Sequence, residues 1–261
     1  MAISSDKLTT YMNNFFGYGN LHGKVWFVGM EEGGGHSQNE IEARLNIWES
    51  VKKDNVEVVD LKEFHLRLLH ELASDKQSQE DVRNWKKWFG LEKTIASQST
   101  WRGLIRLFLG LTSDTRREIP LDSIKDFQVE HFGQTDSDTC LLELLPLPSP
   151  HVADWFYPQW VDLQTLDYLS SRQKYKEKLQ NIRIERIKKL IEEYKPEYVI
   201  FYSRTYKDIW HNIIGSRTPM KEDDKFSFCT KAQTTFVIMP HPISRLENSK
   251  YTKIANKLKS K

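Results

Sequence analysis

The chain has 261 residues, 39% of them hydrophobic, 12% aromatic and 28% charged, with a formal net charge of +2. That composition excludes a disordered or low-complexity chain, and two isolated cysteines, Cys140 and Cys229, exclude a four-cysteine zinc or iron–sulfur site. No apolar run approaches membrane-spanning length and no basic segment leads into an apolar one near the start, so a soluble cytoplasmic protein with no membrane attachment is expected.

Residues 1–24 read as an amphipathic start and a Gly17-Tyr18-Gly19-Asn20 turn. Val25–Val28 is the first strong strand, and it breaks at once into Gly29-Met30-Glu31-Glu32-Gly33-Gly34-Gly35-His36. Asn39 is placed to cap a helix running to about Lys53, with Ile41, Leu45 and Trp48 on one face, and Val56–Val59 reads as a weaker strand. Helical spacing follows over Glu63–Leu72, Glu80–Phe89 and, behind Thr100, Trp101–Leu111. These helices, at about 60–115, read as an insertion within a single domain spanning 1–261. Trp101 reads chiefly as a core or interface tryptophan.

Cys140–Leu145 is the second strong strand; it carries Glu143 and ends in Pro146-Leu147-Pro148-Ser149-Pro150, which cannot continue a central strand. Tyr168–Tyr194 has the spacing of a long basic helix with Leu179, Ile182, Ile187, Leu190 and Ile191 inward, stopped by Pro196. Tyr198–Tyr202 is the third strand, with a helix through Trp210 after it. Phe236–Met239 is the fourth, breaking into Pro240-His241-Pro242-Ile243-Ser244-Arg245-Leu246, and a closing helix begins near Asn248. Strands separated by helices predict an α/β fold, a three-layer sandwich around a mainly parallel four-stranded sheet. In open α/β sheets ligands bind at the carboxyl ends of the strands, where this sequence sets an acid on one and an imidazole on another.

Charge is unevenly spread. From Arg172 to the end there are 21 Lys and Arg against 10 Asp and Glu, a balance of +11, whereas the preceding part has 17 against 26, a balance of −9. A polyanion is drawn to such a basic third, although a solvated helix and a basic tail account for the same excess.

Three stretches together resemble the uracil-DNA glycosylase superfamily: Gly29-Met30-Glu31-Glu32-Gly33 after the first strand, Leu141-Leu142-Glu143 on the second, and His241-Pro242-Ile243-Ser244 after the fourth. The resemblance implies a DNA glycosylase that binds DNA and turns the target nucleotide out of the stack. No lysine lies within the three motifs, so a monofunctional enzyme that uses water is expected. His36 and His241 have no second ligand at a recognisable spacing, so no metal is expected. No cofactor is expected either, and the chain is expected to be a monomer. The resemblance assigns Glu31 as the catalytic acid residue and His241 as the donor to the leaving base, while Glu32 reads as an exposed neighbour or a helix N-terminal charge. Gly29, Met30, Gly33, Gly34 and Glu143 would surround the base. Ser149 and Ser244 would meet phosphates, and Arg245 or Leu246 would fill the gap in the stack.

The sequence also departs from that family. Glu143 stands where uracil-specific members carry an asparagine, and a carboxylate suits the 4-amino donor of cytosine better than the 4-oxygen of uracil. Gly33, Gly34 and Gly35 stand where a bulky residue excludes 5-substituents, unless they serve unusual backbone angles or let backbone amides approach a phosphate instead. The expectation is therefore a bulky 5-substituted cytosine, such as the glucosylated hydroxymethylcytosine of phage DNA, removed in antiviral defence. A uracil-removing repair enzyme and a non-catalytic nucleic-acid-binding protein are the alternatives.

Overall fold

The computed structural model describes residues 2–52, 57–113, 117–151, 153–223, 226–244 and 246–260. Among these, helices α1 (Ser5–Asn14), α2 (Gln38–Val51), α3 (Leu61–Glu71), α4 (Gln79–Trp88), α5 (Ser99–Thr112) and α6 (Leu121–Glu130) precede α7 (Arg172–Tyr194), α8 (Lys207–Ile214) and α9 (Asn248–Lys259). The strands are β1 (Gly17–Gly19), β2 (Val25–Gly29), β3 (Val58–Val59), β4 (Thr139–Glu143), β5 (Tyr198–Tyr202), β6 (Lys221–Glu222), β7 (Ser227–Lys231) and β8 (Thr234–Met239). The class is α/β, but the sheet is not the four-stranded one expected. It is a single mixed sheet of eight strands in the order β3-β1-β4-β2-β5-β8-β7-β6.

The four strands read from the sequence form the parallel centre of that sheet, β4-β2-β5-β8. Their residues are almost wholly buried, which is why they read as unbroken apolar runs. The added strands lie at the flanks: β1 runs antiparallel to β4 and parallel to β3, and β7 runs antiparallel to β8 with β6 beyond it. Gly17 and Gly19, read as a turn, are strand residues at φ +138° and +103°, and a Cβ on Gly17 would stand 1.9 Å from the Leu141 carbonyl oxygen. Close approach of β1 to β4 therefore requires glycine there.

Helix boundaries follow local chemistry. The α2 helix is capped by Ser37, not Asn39: the Ser37 hydroxyl accepts the Glu40 N–H at 3.0 Å. Ser171 caps α7 in the same way, so that helix begins at Arg172 rather than Tyr168, after a short 3-10 turn over Asp167–Ser170. Ile182, expected inward, is 61% exposed on α7, while Arg183 takes a buried place. The expected last residue of the first long helix (Lys53) and the expected first residue of the weak strand (Val56) fall outside the described residues.

The helices at 60–115 are not a detached appendage. Phe64 and Leu68 of α3, Val82 and Trp85 of α4, and Leu104, Ile105 and Phe108 of α5 belong to one contiguous hydrophobic cluster with the strands. Trp101 is half-buried, its ring 5.5 to 6.5 Å from those of His65, Trp88, Phe89 and Phe132.

Candidate active site at the carboxyl ends of the parallel strands

Parallel alignment brings Gly29, Glu143, Tyr202 and the segment after Met239 to one edge of the sheet. Gly29 is in register with Glu143, and Tyr202 with Met239. Glu143 is held by its backbone from two sides: its N–H donates to the Phe16 carbonyl at 2.9 Å, and its own carbonyl accepts Arg183 Nη2 at 2.8 Å. Its side chain lies under the Tyr202 hydroxyl, which donates to Oε1 at 3.0 Å. Oε2 is buried with no partner. Burial pushes this carboxyl up to about 8, against the smaller opposing effect of the Tyr202 hydrogen bond, which favours the neutral acid near pH 7.

Gly29 leaves room for that pair. A Cβ there would stand 2.2 Å from the Tyr202 hydroxyl and 2.6 Å from Glu143 Oε2. Met30 is 8% exposed and lies in the core, with its carbonyl accepting the Leu145 N–H at 2.7 Å.

His241 extends the line. Its ring centroid is 5.7 Å from that of Tyr202. The Ile243 N–H donates to Nδ1 at 3.3 Å, so the ring proton of the neutral form sits on Nε2. Desolvation lowers the pKa of the imidazole, which favours that neutral form. Pro242 rests on α5, since a Cβ on Gly103 would lie 2.8 Å from Pro242 Cβ and 2.5 Å from the Tyr251 hydroxyl of α9. Arg106 of the same helix donates to Asn248 Oδ1 at 2.6 Å, at the first residue of α9. Part of the 60–115 region thus supports the histidine turn.

Glu31 follows Gly29 by two residues, and two residues of chain span at most about 7 Å, which keeps its backbone beside the same edge. Its Oε1 pairs with Arg172 Nη2, at the first residue of α7, while Oε2 is buried without a partner. Arg172 also donates from Nη1 to Ser149 Oγ at 2.9 Å. Ser149, expected to meet a phosphate, is instead 6% exposed, and its hydroxyl donates to the carbonyls of His151 and Asp154, each at 2.9 Å. It braces the loop that holds Arg172.

Glu32, expected as an exposed neighbour, is the centre of a buried ionic network. It accepts the Tyr18 hydroxyl at 2.7 Å and Arg44 Nη1 at 3.0 Å, and it meets His65 Nε2 at 3.1 Å. Arg44 in turn bonds Glu40 at 3.0 Å, and the Arg44 and Glu40 side chains are 2% and 0% exposed. Burial alone would raise the Glu32 carboxyl; the Arg44 charge, the His65 contact and the Tyr18 hydroxyl outweigh it and hold the group at about 2.

The three glycines divide their tasks. Only Gly33 faces open space. Gly34, at φ +118°, packs against Glu40 and Arg44, and Gly35, at φ +76°, leaves 2.8 Å between a notional Cβ and the Pro148 carbonyl oxygen. Gly35→Ala is expected to cost about 1–3 kcal/mol in thermal unfolding, because it forces a side chain into the left-handed region against backbone. Gly33→Ala should stay within about 0.5 kcal/mol of the parent.

Beyond the histidine, Ser244 is exposed and donates its hydroxyl to the His241 carbonyl, Ile243 is 61% exposed, and Leu246 is half-buried against the core. Arg245 lies outside the described residues. Tyr202 and Arg172 escape a reading by motif. The end of the third strand carries no acid, glycine or histidine to draw notice, and Arg172 begins a helix rather than ending a strand. Among the described residues no group of three or more His, Cys, Asp and Glu is placed to hold a metal ion, and no helix is long and apolar enough to cross a membrane. Neither a scan against protein-family models nor a search of curated proteins finds a match for this chain.

Proposed function

We propose that this protein is a monofunctional DNA glycosylase, on a three-layer fold of the uracil-DNA glycosylase kind, that hydrolyses the N-glycosidic bond of an everted 5-substituted cytosine. The observation that carries this reading is the line Gly29, Glu143, Tyr202, His241 along one sheet edge, with Glu31 two residues beyond its start. Cleavage leaves positive charge on the sugar and negative charge on the departing base. The free Oε2 of Glu31 would face the sugar and orient the attacking water. The Nε2–H of His241 would donate to the base carbonyl oxygen as it gains charge.

The base-facing side of the site supports a cytosine-type substrate. A neutral Glu143 offers a donor for N3 and an acceptor for the 4-amino group, and the open space at Gly33 admits a 5-substituent. Arg172 and Lys176 line a surface cavity of about 570 Å³ on α7 together with Glu177, and on this reading the two cations would meet phosphates. On this reading the product is an abasic site in DNA, in keeping with defence against phage whose cytosines are glucosylated.

The test is a panel of matched oligonucleotides bearing uracil, cytosine, hydroxymethylcytosine or its glucosylated form, followed by alkali to cut at abasic sites. The expected result is strongest cutting of the glucosylated strand. Equal or better cutting at uracil overturns the substrate assignment. An inert panel with retained DNA binding points to a non-catalytic binding protein.

A further inference from the structure

The side chain of Glu143 has two unlike oxygens. Oε1 takes the Tyr202 hydroxyl at 3.0 Å, whereas Oε2 is buried and unpartnered, close to Gly29. Glu143 Oε1 lies within hydrogen-bond distance of the Tyr202 hydroxyl, and a buried hydroxyl aims its proton at the acceptor it meets, so Tyr202 donates to Oε1. Burial raises the tyrosine well above its ordinary range, and it remains a donor at any working pH. A neutral carboxyl whose Oε1 already accepts one hydrogen bond carries its own proton on Oε2. The acid then presents a fixed sequence of groups, a donor at Oε2 and the second lone pair of Oε1 as an acceptor.

We infer that Tyr202 determines which base the site accepts, by fixing the carboxyl proton of Glu143 on Oε2 and so the order of donor and acceptor shown to the base. The inference rests on the proposed role of Glu143 as the base-facing group. Cytosine offers acceptor N3 beside its 4-amino donor, and uracil offers donor N3–H beside an acceptor oxygen. An unrestrained carboxylic acid satisfies either by moving its proton from one oxygen to the other. With Tyr202 in place, Oε2–H meets cytosine N3 and Oε1 takes the amino hydrogen. Uracil in the same pose sets hydrogen against hydrogen and lone pair against lone pair, and such mismatched buried groups carry strong discrimination. Tyr202 is in this sense a positioning residue, acting through Glu143.

The experiment uses two oligonucleotides that differ at the pairing edge alone, one with 5-hydroxymethylcytosine and one with 5-hydroxymethyluracil at the same position. Both base release and equilibrium binding are measured for the full chain and for Tyr202→Phe. The parent is expected to prefer the cytosine form by at least about tenfold. Tyr202→Phe should bring the ratio near one, chiefly through gain on the uracil form, whereas a merely structural loss would lower both alike. Glu143→Gln supplies the second variant: its amide keeps a carbonyl oxygen for Tyr202 and an NH2 where Oε2–H stood, so it should keep the cytosine preference, and Glu143→Gln with Tyr202→Phe should lose it. An unchanged ratio in Tyr202→Phe, a lost preference in Glu143→Gln alone, or a parent that prefers the uracil form overturns the inference. Absence of base release from every oligonucleotide would instead sink the hydrolytic reading, and the binding ratios would still decide the part played by Tyr202.

Discussion

Glu31→Gln is expected to slow base release in a single turnover by about 10²–10⁴-fold, the range over which a positioned acid–base group contributes. Glutamine keeps an oxygen for Arg172 to hold, so the loop should stay in place and thermal unfolding should change little. What disappears is the negative charge at Oε2, the buried oxygen that has no partner. DNA affinity should be retained or improved, because one repulsion toward phosphates is gone. Retention of most of the release rate would remove Glu31 from the chemistry and leave the line of Glu143, Tyr202 and His241 without its cation-stabilising partner.

The second large effect concerns stability. Arg44→Met should cost about 3–5 kcal/mol, since it leaves the buried carboxylate of Glu40 and the largely buried one of Glu32 without their shared guanidinium. The effect has a defined pH dependence. Glu32 is held at about 2 against an ordinary value of 4.5, so its share of stability is fully present above about 4.5 and is lost as pH falls toward 2. Without Arg44 that depression shrinks, and the gap between variant and parent should narrow on acidification below pH 4.5. Denaturant unfolding at pH 7 and pH 3 measures both quantities. A constant gap at the two values would mean that Glu32 draws its low pKa from elsewhere.

The parallel centre of the sheet was legible because strands buried on both faces leave continuous apolar runs. The flanks were not: β3 and β6 have two residues each, and β1 is Gly-Tyr-Gly, whose glycines mimic a turn. Glu32 was misread for a different reason. Its partners lie 12, 14 and 33 residues away, and no local spacing links them. Gly34 and Gly35 serve backbone angles and close packing, one of the readings open to them, while Gly33 alone faces open space. Ile182 fitted the inward periodicity of a helix yet faces out, since the inner surface of α7 admits Arg183, whose guanidinium bonds the carbonyls of Met12, Phe15, Glu143 and Leu144. A buried arginine satisfied wholly by backbone carbonyls has no signature in charge or hydropathy.

That arginine, with the Phe16 carbonyl opposite, clamps the strand on which Glu143 is mounted. If Glu143 faces the base as proposed, a side chain mounted on a strand fastened on both flanks has little slack with which to retreat from an ill-fitting guest. On that reading misfit at this spot appears as lost affinity, and selectivity is a matter of stiffness as much as of chemistry.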